Sequence, residues 1–166
     1  YQNALGYAKE RLQGTVLNRT GLRPNEVRSP CSIIHHPDVR RMLMDVRSIN
    51  EAARLLVLEA ATLVDKGGEE AEDRLGLMTP VLKGVITDYG VENAIKMQQV
   101  WGGHGYVRDN GMEQIVRDAR IAMIYEGANG IQALDLVGRK LPKNMGRAVM
   151  RFFKDTESFL TSSYEH

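Results

Sequence analysis

Residues 37–66, PDVRRMLMDVRSINEAARLLVLEAATLVDK, decide the fold. Met42, Val46, Ile49, Ala53, Leu56, Ala60 and Leu63 recur at spacings of four and three, the seam of a helix packed at a small angle against its neighbours. Pro37 suits a first helical turn, and Lys66-Gly67-Gly68 supplies the stop. The span predicts one helix about 45 Å long at 1.5 Å per residue. Few compact folds other than bundles use a helix of that length.

Working outward from this helix, the chain stays helical on both sides. Residues 1–13 carry Leu5, Ala8 and Leu12 on one face with no capping residue before them, so the chain is expected to enter partway through a helix that Gly14 ends. Residues 14–36 have no sustained period and read as a long connection, the kind that packs against another surface. Beyond Gly68, the run Glu69-Glu70-Ala71-Glu72-Asp73-Arg74 reads as a solvated turn or short helix. Thr79-Pro80 then resembles a cap and first-turn proline opening a third helix, with Leu82, Val85, Ile86, Tyr89, Ala94, Met97 and Trp101 mostly inward. Gly84 and Gly90 within it each cost about 1 kcal/mol against alanine, a cost usually met for close backbone packing.

Gly102-Gly103-His104-Gly105-Tyr106 stops that helix. A fourth is expected over Met112–Ile124 with Ile115, Ala119 and Ala122 or Met123 inward, and another from the break at Tyr125-Glu126-Gly127-Ala128-Asn129 to Leu141. After Pro142 a final amphipathic helix carries Met145, Val149, Phe152 and Leu160 inward. No segment alternates with period two for long. The fold class is all-α, an antiparallel bundle of long helices, with residues 1–141 as the bundle domain and 142–166 as the start of a helical extension.

Composition narrows the function. The 166 residues are 43% apolar, enough for a real core, and 22 Lys+Arg against 21 Asp+Glu leave a net charge of +1. No field of one sign draws in nucleic acid or an anionic membrane, and no apolar run reaches the roughly 20 residues of a membrane span. One cysteine, Cys31, excludes an internal disulfide, and the expected setting is cytoplasmic. None of His35, His36, His104 or His166 follows a Glu by three positions, which removes the di-iron bundles, and no metal site is expected. His35 and His36 read as loop or capping residues and His104 as a turn residue. Neither a phosphate-binding P-loop nor a strand-turn-helix Gly-x-Gly-x-x-Gly is present.

What remains is a pair of glycine-bounded breaks, Gln99-Val100-Trp101-Gly102-Gly103-His104-Gly105 and Ile124-Tyr125-Glu126-Gly127. Glycines at helix ends expose backbone N–H groups to a flat or anionic ligand. Glu126 follows the apolar Ile121-Ala122-Met123-Ile124-Tyr125 and precedes Gly127, a position that can hold a carboxylate on a bend beside apolar surface. Such a setting suits a general base, although the commoner reading of a glutamate at a helix end is an ordinary surface residue.

At these residues the sequence resembles the C-terminal domain of the acyl-CoA dehydrogenases, FAD-dependent enzymes that oxidise acyl-CoA thioesters to 2,3-enoyl-CoA. The resemblance rests on Glu10-Arg11, Gln99 to Tyr106, Arg117-Asp118-Ala119-Arg120-Ile121 and Ile124 to Gln132, in that order over residues 1–141. It implies that Glu126 is the base that removes the α-proton while the β-hydrogen leaves as hydride to flavin N5, with Tyr125 and Gly127 flanking the acyl chain. It also implies that Arg11 reaches the FAD pyrophosphate of a neighbouring subunit and that Gln99, Gly102 and Gly103 form a turn against the adenosine side. The chain departs from many relatives at Ala128, where they have Thr, and at Pro37, where they have Gln. Residues 142–166 are similar to the larger bacterial members with a C-terminal extension, some of which act on 3-methylthiopropanoyl-CoA.

The implied partners are an acyl-CoA substrate, electron-transfer flavoprotein as acceptor, and further copies of the enzyme in a homodimer or homotetramer. An N-terminal helical domain and a β-domain would complete the flavin site, and 166 residues lacking them are expected to be inactive with little bound FAD. The competing expectation is a non-catalytic scaffold, oligomerisation or nucleic-acid-binding relative of the same fold. Balanced charge and the intact Ile124-Tyr125-Glu126-Gly127 count against it.

Overall fold

The computed structural model describes residues 1–15 and 29–163. Among them the regular structure is helical: α1 (Gln2–Glu10), α2 (Pro37–Lys66), α3 (Gly68–Trp101), α4 (Met112–Ile121), α5 (Asn129–Asp135) and α6 (Arg147–Ser163), with 3-10 and π turns between them. The helix read from Pro37 to Lys66 has those bounds. Two compact units share the long helices, one comprising residues 1–51 and 89–120, the other 52–88 and 121–166.

In the first unit, Ala4 and Ala8 of α1 lie with Met42, Leu43 and Val46 of α2, Met97 and Val100 of α3, Ile33 and Met112 in a buried core. The alanines of α1 let its backbone come close to the core residues, as their near-zero exposure requires. Lys96 pairs with Asp45 at 3.7 Å while Asn93 Nδ2 donates to Asn50 Oδ1 at 3.3 Å. These partners run in opposite order along the two helices, so α2 and α3 are antiparallel in this unit. Leu12 and Ser32 form an isolated antiparallel bridge in which Gln13 N donates to the Cys31 carbonyl at 2.9 Å. Most of the connection expected between residues 14 and 36 lies outside the described residues.

The second unit corrects the reading of residues 68–80. The run Glu69–Arg74 is the opening of α3, not a separate turn, and Pro80 lies buried inside that helix instead of opening one. Gly67 and Gly68 take φ of 60° and 85° to reverse the chain, and Glu69 and Glu70 in the first turn suit the positive end of the helix dipole. Tertiary pairing holds the segment that local rules would release: Arg74 Nε donates to Glu59 at 2.7 Å, and Arg147 of α6 grips Asp73 through Nε and Nη2 at 2.7 and 2.9 Å. Glu69 also pairs with Arg147, and Arg151 stands 3.7 Å from Asp73. The charge run is therefore a docking face for α6. Pro80 removes one backbone bond from α3.

Other expectations shift as well. Helix α4 ends at Ile121, three residues early, where the chain tightens into a turn in which Ile124 N bonds the Ile121 carbonyl at 3.0 Å and Tyr125 N shares that carbonyl at 3.2 Å. After α5 the chain widens into a π turn over Leu136–Lys140, where Leu141 N donates to Leu136 O. Asn144, Met145 and Gly146 take left-handed φ of 51°, 55° and 79°, so Met145, expected inward, sits on a turn and is 99% exposed. Leu56, Val85, Tyr89, Ile115, Phe152 and Leu160 are also exposed. Of the three interior glycines in α3, Gly84 lies under α5, where an added Cβ would touch Gln132 Cβ at 3.9 Å, whereas Gly76 and Gly90 face open space.

Candidate active site

The second unit carries Tyr125, Glu126 and Gly127 on the bend between α4 and α5. Glu126 has φ of 51° and Gly127 of 83°. The left-handed region costs an L-residue about 1–2 kcal/mol, so a glutamate held there is a strained backbone position that its surroundings must impose. The bend is closed at its ends, since Asn129 N donates to the Met123 carbonyl at 3.2 Å and Gln132 Nε2 to the Gly127 carbonyl at 3.3 Å. A Cβ at Gly127 would approach Gln132 Nε2 to 2.9 Å, so the glycine permits both the conformation and that bond. The Glu126 side chain is exposed, and Ile121, Ile124, Tyr125 and Ile131 surround the bend with apolar groups that are 51–55% exposed. The expected apolar setting is thus present on the surface, open to solvent in this chain.

Asn129 ties this bend to α3. Its Oδ1 accepts from Lys83 Nζ at 2.8 Å. Its Nδ2 lies 2.6 Å from Asp88 Oδ1, 2.9 Å from Thr87 Oγ1 and 3.1 Å from the Gly84 carbonyl. Thr87 in turn donates to the Lys83 carbonyl at 2.7 Å. Sequence reasoning quoted Asn129 within a motif and gave it no task; an Asn opening a helix ordinarily signals a cap, yet α5 has no side-chain cap.

The first unit carries Arg11, Gln99, Gly102 and Gly103. Trp101 stacks on Tyr7 with ring centroids 4.3 Å apart and planes at 15°, and Tyr7 Oη shares a 2.7 Å hydrogen bond with His104 Nδ1. The His104 carbonyl accepts from Asn110 Nδ2 at 2.7 Å, so the histidine has the turn role expected for it. His36 Nε2 lies 2.7 Å from the Gln13 carbonyl, a loop contact. Gly102 takes φ of 57°, and around both Gly102 and Gly103 an added Cβ would meet nothing within 4 Å. Two buried donors, Arg11 Nε and Trp101 Nε1, have no hydrogen-bond partner among the described residues. Open glycine backbone together with unspent buried donors is what an anionic, flat group would use.

A cavity of ≈ 380 Å³ in the second unit, lined by Leu77, Val81, Leu141, Val149 and Phe152 among others, contains none of the candidate residues. Gln99, Gly102, Gly103, Tyr125, Glu126 and Gly127 are exposed, and Arg11 is half-buried. No described helix is long and apolar enough to cross a membrane.

Comparison with known proteins gives this geometry its context. The family model for the acyl-CoA dehydrogenase C-terminal domain matches residues 25–141. The chain is 38% identical over 159 residues to 3-methylmercaptopropionyl-CoA dehydrogenase of Ruegeria pomeroyi, covering 92% of this chain and 26% of that protein. It is 36% identical over 171 residues to the broad-specificity linear acyl-CoA dehydrogenase FadE5 of Mycobacterium tuberculosis, covering 98% and 28%. Among solved structures it is similar to Caenorhabditis elegans ACDH-11 in complex with C11-CoA, with a TM-score of 0.74 and 25% identity over 95% of this chain and 25% of that one. The chain spans about a quarter of the length of these relatives. Most of its length is matched by the family model and two relatives exceed 30% identity, so the chain belongs to the acyl-CoA dehydrogenase family and corresponds to its C-terminal domain.

Proposed function

We propose that this chain is the base-bearing part of an FAD-dependent acyl-CoA dehydrogenase. Glu126 takes the α-proton of an acyl-CoA thioester, and Tyr125 and Gly127 flank the acyl chain. The observation that carries the reading is the bend itself, which holds a carboxylate-bearing residue at a left-handed φ of 51° with apolar groups on both sides and its ends hydrogen-bonded closed. A thioester α-carbon is a weak acid, so its base must be positioned in advance and shielded as the enolate forms. Ile121, Ile124 and Tyr125 supply apolar surface that excludes water once substrate and partner segments cover it.

The residues of the first unit fit FAD. Arg11 Nε and Trp101 Nε1 are buried donors seeking acceptors, and Gly102 and Gly103 leave backbone open to close approach. In this reading Arg11 binds the pyrophosphate and Gln99, Gly102 and Gly103 lie against the adenosine side. FAD held there would supply the acceptor for the β-hydride, and the α-proton would rest on Glu126. Electron-transfer flavoprotein is the proposed acceptor, a homodimer or homotetramer the assembly, and 3-methylthiopropanoyl-CoA or a straight-chain acyl-CoA the substrate, in keeping with the names of the two relatives.

The test is Glu126→Gln in the flavoenzyme that carries this chain. Flavin absorbance stays in place and acyl-CoA no longer bleaches it; bleaching at the parental rate overturns the assignment of the base.

A further inference from the structure

We propose that Asn129 is a positioning residue, which fixes the conformation of Glu126 by locking the bend onto residues 83–88 of α3. This rests on the reading of Glu126 as the base and adds how the base is aimed. The backbone of Asn129 closes the loop that contains Glu126 through its bond to Met123 O, while its side chain anchors that same loop to another helix. Both sides of the amide are used, and the partners leave no freedom over which side is which. Lys83 can only donate and so selects Oδ1; an ionised Asp88 can only accept and so selects Nδ2. Two amide hydrogens serve three acceptors at 2.6–3.1 Å, one of them the Gly84 carbonyl.

This arrangement explains a residue type as well as a position. Aspartate at 129 keeps the bond to Lys83 but sets a second carboxylate against Asp88 and the Gly84 carbonyl. Leucine or alanine abandons both sides. Only a group with an acceptor and a donor on adjacent atoms satisfies Lys83 and Asp88 together, which asparagine supplies in one plane. The left-handed Glu126 costs free energy on its own, so the anchor three residues later is what keeps the bend from relaxing.

The test uses Asn129→Asp and the exchanged pair Asp88→Asn/Asn129→Asp, which returns a donor to face the new carboxylate. In the 166-residue chain, amide hydrogen exchange in peptides covering 124–132 speeds by tenfold or more in Asn129→Asp, with peptides covering 1–10 unchanged, and slows again in the pair. In the flavoenzyme, Asn129→Asp reduces flavin at least tenfold more slowly with less than a threefold change in acyl-CoA Kd and a larger α-deuterium isotope effect, and the pair recovers most of the rate. Unchanged exchange at 124–132 in Asn129→Asp overturns the inference, as does a pair that regains the parental melting temperature but not the reduction rate. If Glu126→Gln still bleaches, the reading of the base has failed instead; if it does not bleach while Asn129→Asp behaves as the parent, only the positioning role has failed.

Discussion

Gly105→Ala tests how tightly the turn after α3 is packed. Gly105 is buried in the 3-10 turn Gly102–Tyr106, and its φ is not left-handed, so space alone decides the outcome. A Cβ there would stand 2.6 Å from the Gln98 carbonyl oxygen, 2.8 Å from Trp101 Cβ and 3.1 Å from Gln98 Cγ. The first two cannot rotate away, because one is backbone and the other is fixed by its own Cα. The backbone would have to open by about 0.8 Å to reach the 3.4 Å of ordinary contact, which strains the bond from Gln98 Nε2 to the Gly105 carbonyl at 3.0 Å. Overpacking of this kind costs about 1–3 kcal/mol, a loss of roughly 2–12 °C in Tm for a chain of this size. Trp101 is the single tryptophan and borders the clash, so its fluorescence during thermal unfolding reports on this turn directly. Gly103→Ala is the internal control: nothing lies within 4 Å of its Cβ position, and its change should stay within about 0.5 kcal/mol. Melting of Gly105→Ala within a degree of the parent would show that the turn has room for a Cβ at Gly105, and an equal loss in Gly103→Ala that the loss does not come from the clash.

Three further outcomes follow from the same structure. Met97→Ala empties a side chain that is 2% exposed in the core of the first unit and should cost about 2–5 kcal/mol by urea unfolding; a loss under 1 kcal/mol would mean that the core collapses to fill the space. Glu126→Gly relieves the left-handed glutamate and should raise stability by about 1 kcal/mol while abolishing substrate-dependent bleaching; a lower Tm would show that the backbone is not strained there. Hydrogen bonds from Arg147 hold the Asp73 carboxyl below its usual range, so its stabilising contribution is complete above about pH 4 and disappears as pH falls through the lowered folded value. The gap in urea midpoint between the parent and Asp73→Asn should therefore be constant from pH 5 to 7 and narrow as pH falls below 4, and a gap that does not narrow with acidification contradicts the pairing.

The long helices were legible because their signals are local and repeat: a seam of fours and threes from Met42 to Leu63, a proline at one end and paired glycines at the other. The candidate site stands out in the sequence as a motif, since the glycines and Tyr125-Glu126-Gly127 break helical surroundings. The opening of α3 was not. Thr79-Pro80 obeys the local grammar of a helix start, but Arg147 lies 74 residues beyond Asp73, and no window along the chain reveals that this pair holds the earlier turns in place. Likewise Met145 fits an amphipathic pattern, yet with Asn144 and Gly146 it takes a left-handed conformation in the turn that leads into α6.

By itself the sequence determined that the chain is all-α, where its glycines break the helices, and which family the breaks resemble, because period, capping and motif are properties of neighbouring residues. Only the tertiary structure decided that Glu126 is held left-handed and that Asn129 spans to Lys83 and Asp88. Those bonds join residues more than 40 positions apart, and their energy depends on distances and donor directions that exist only once α3 and α5 are packed together.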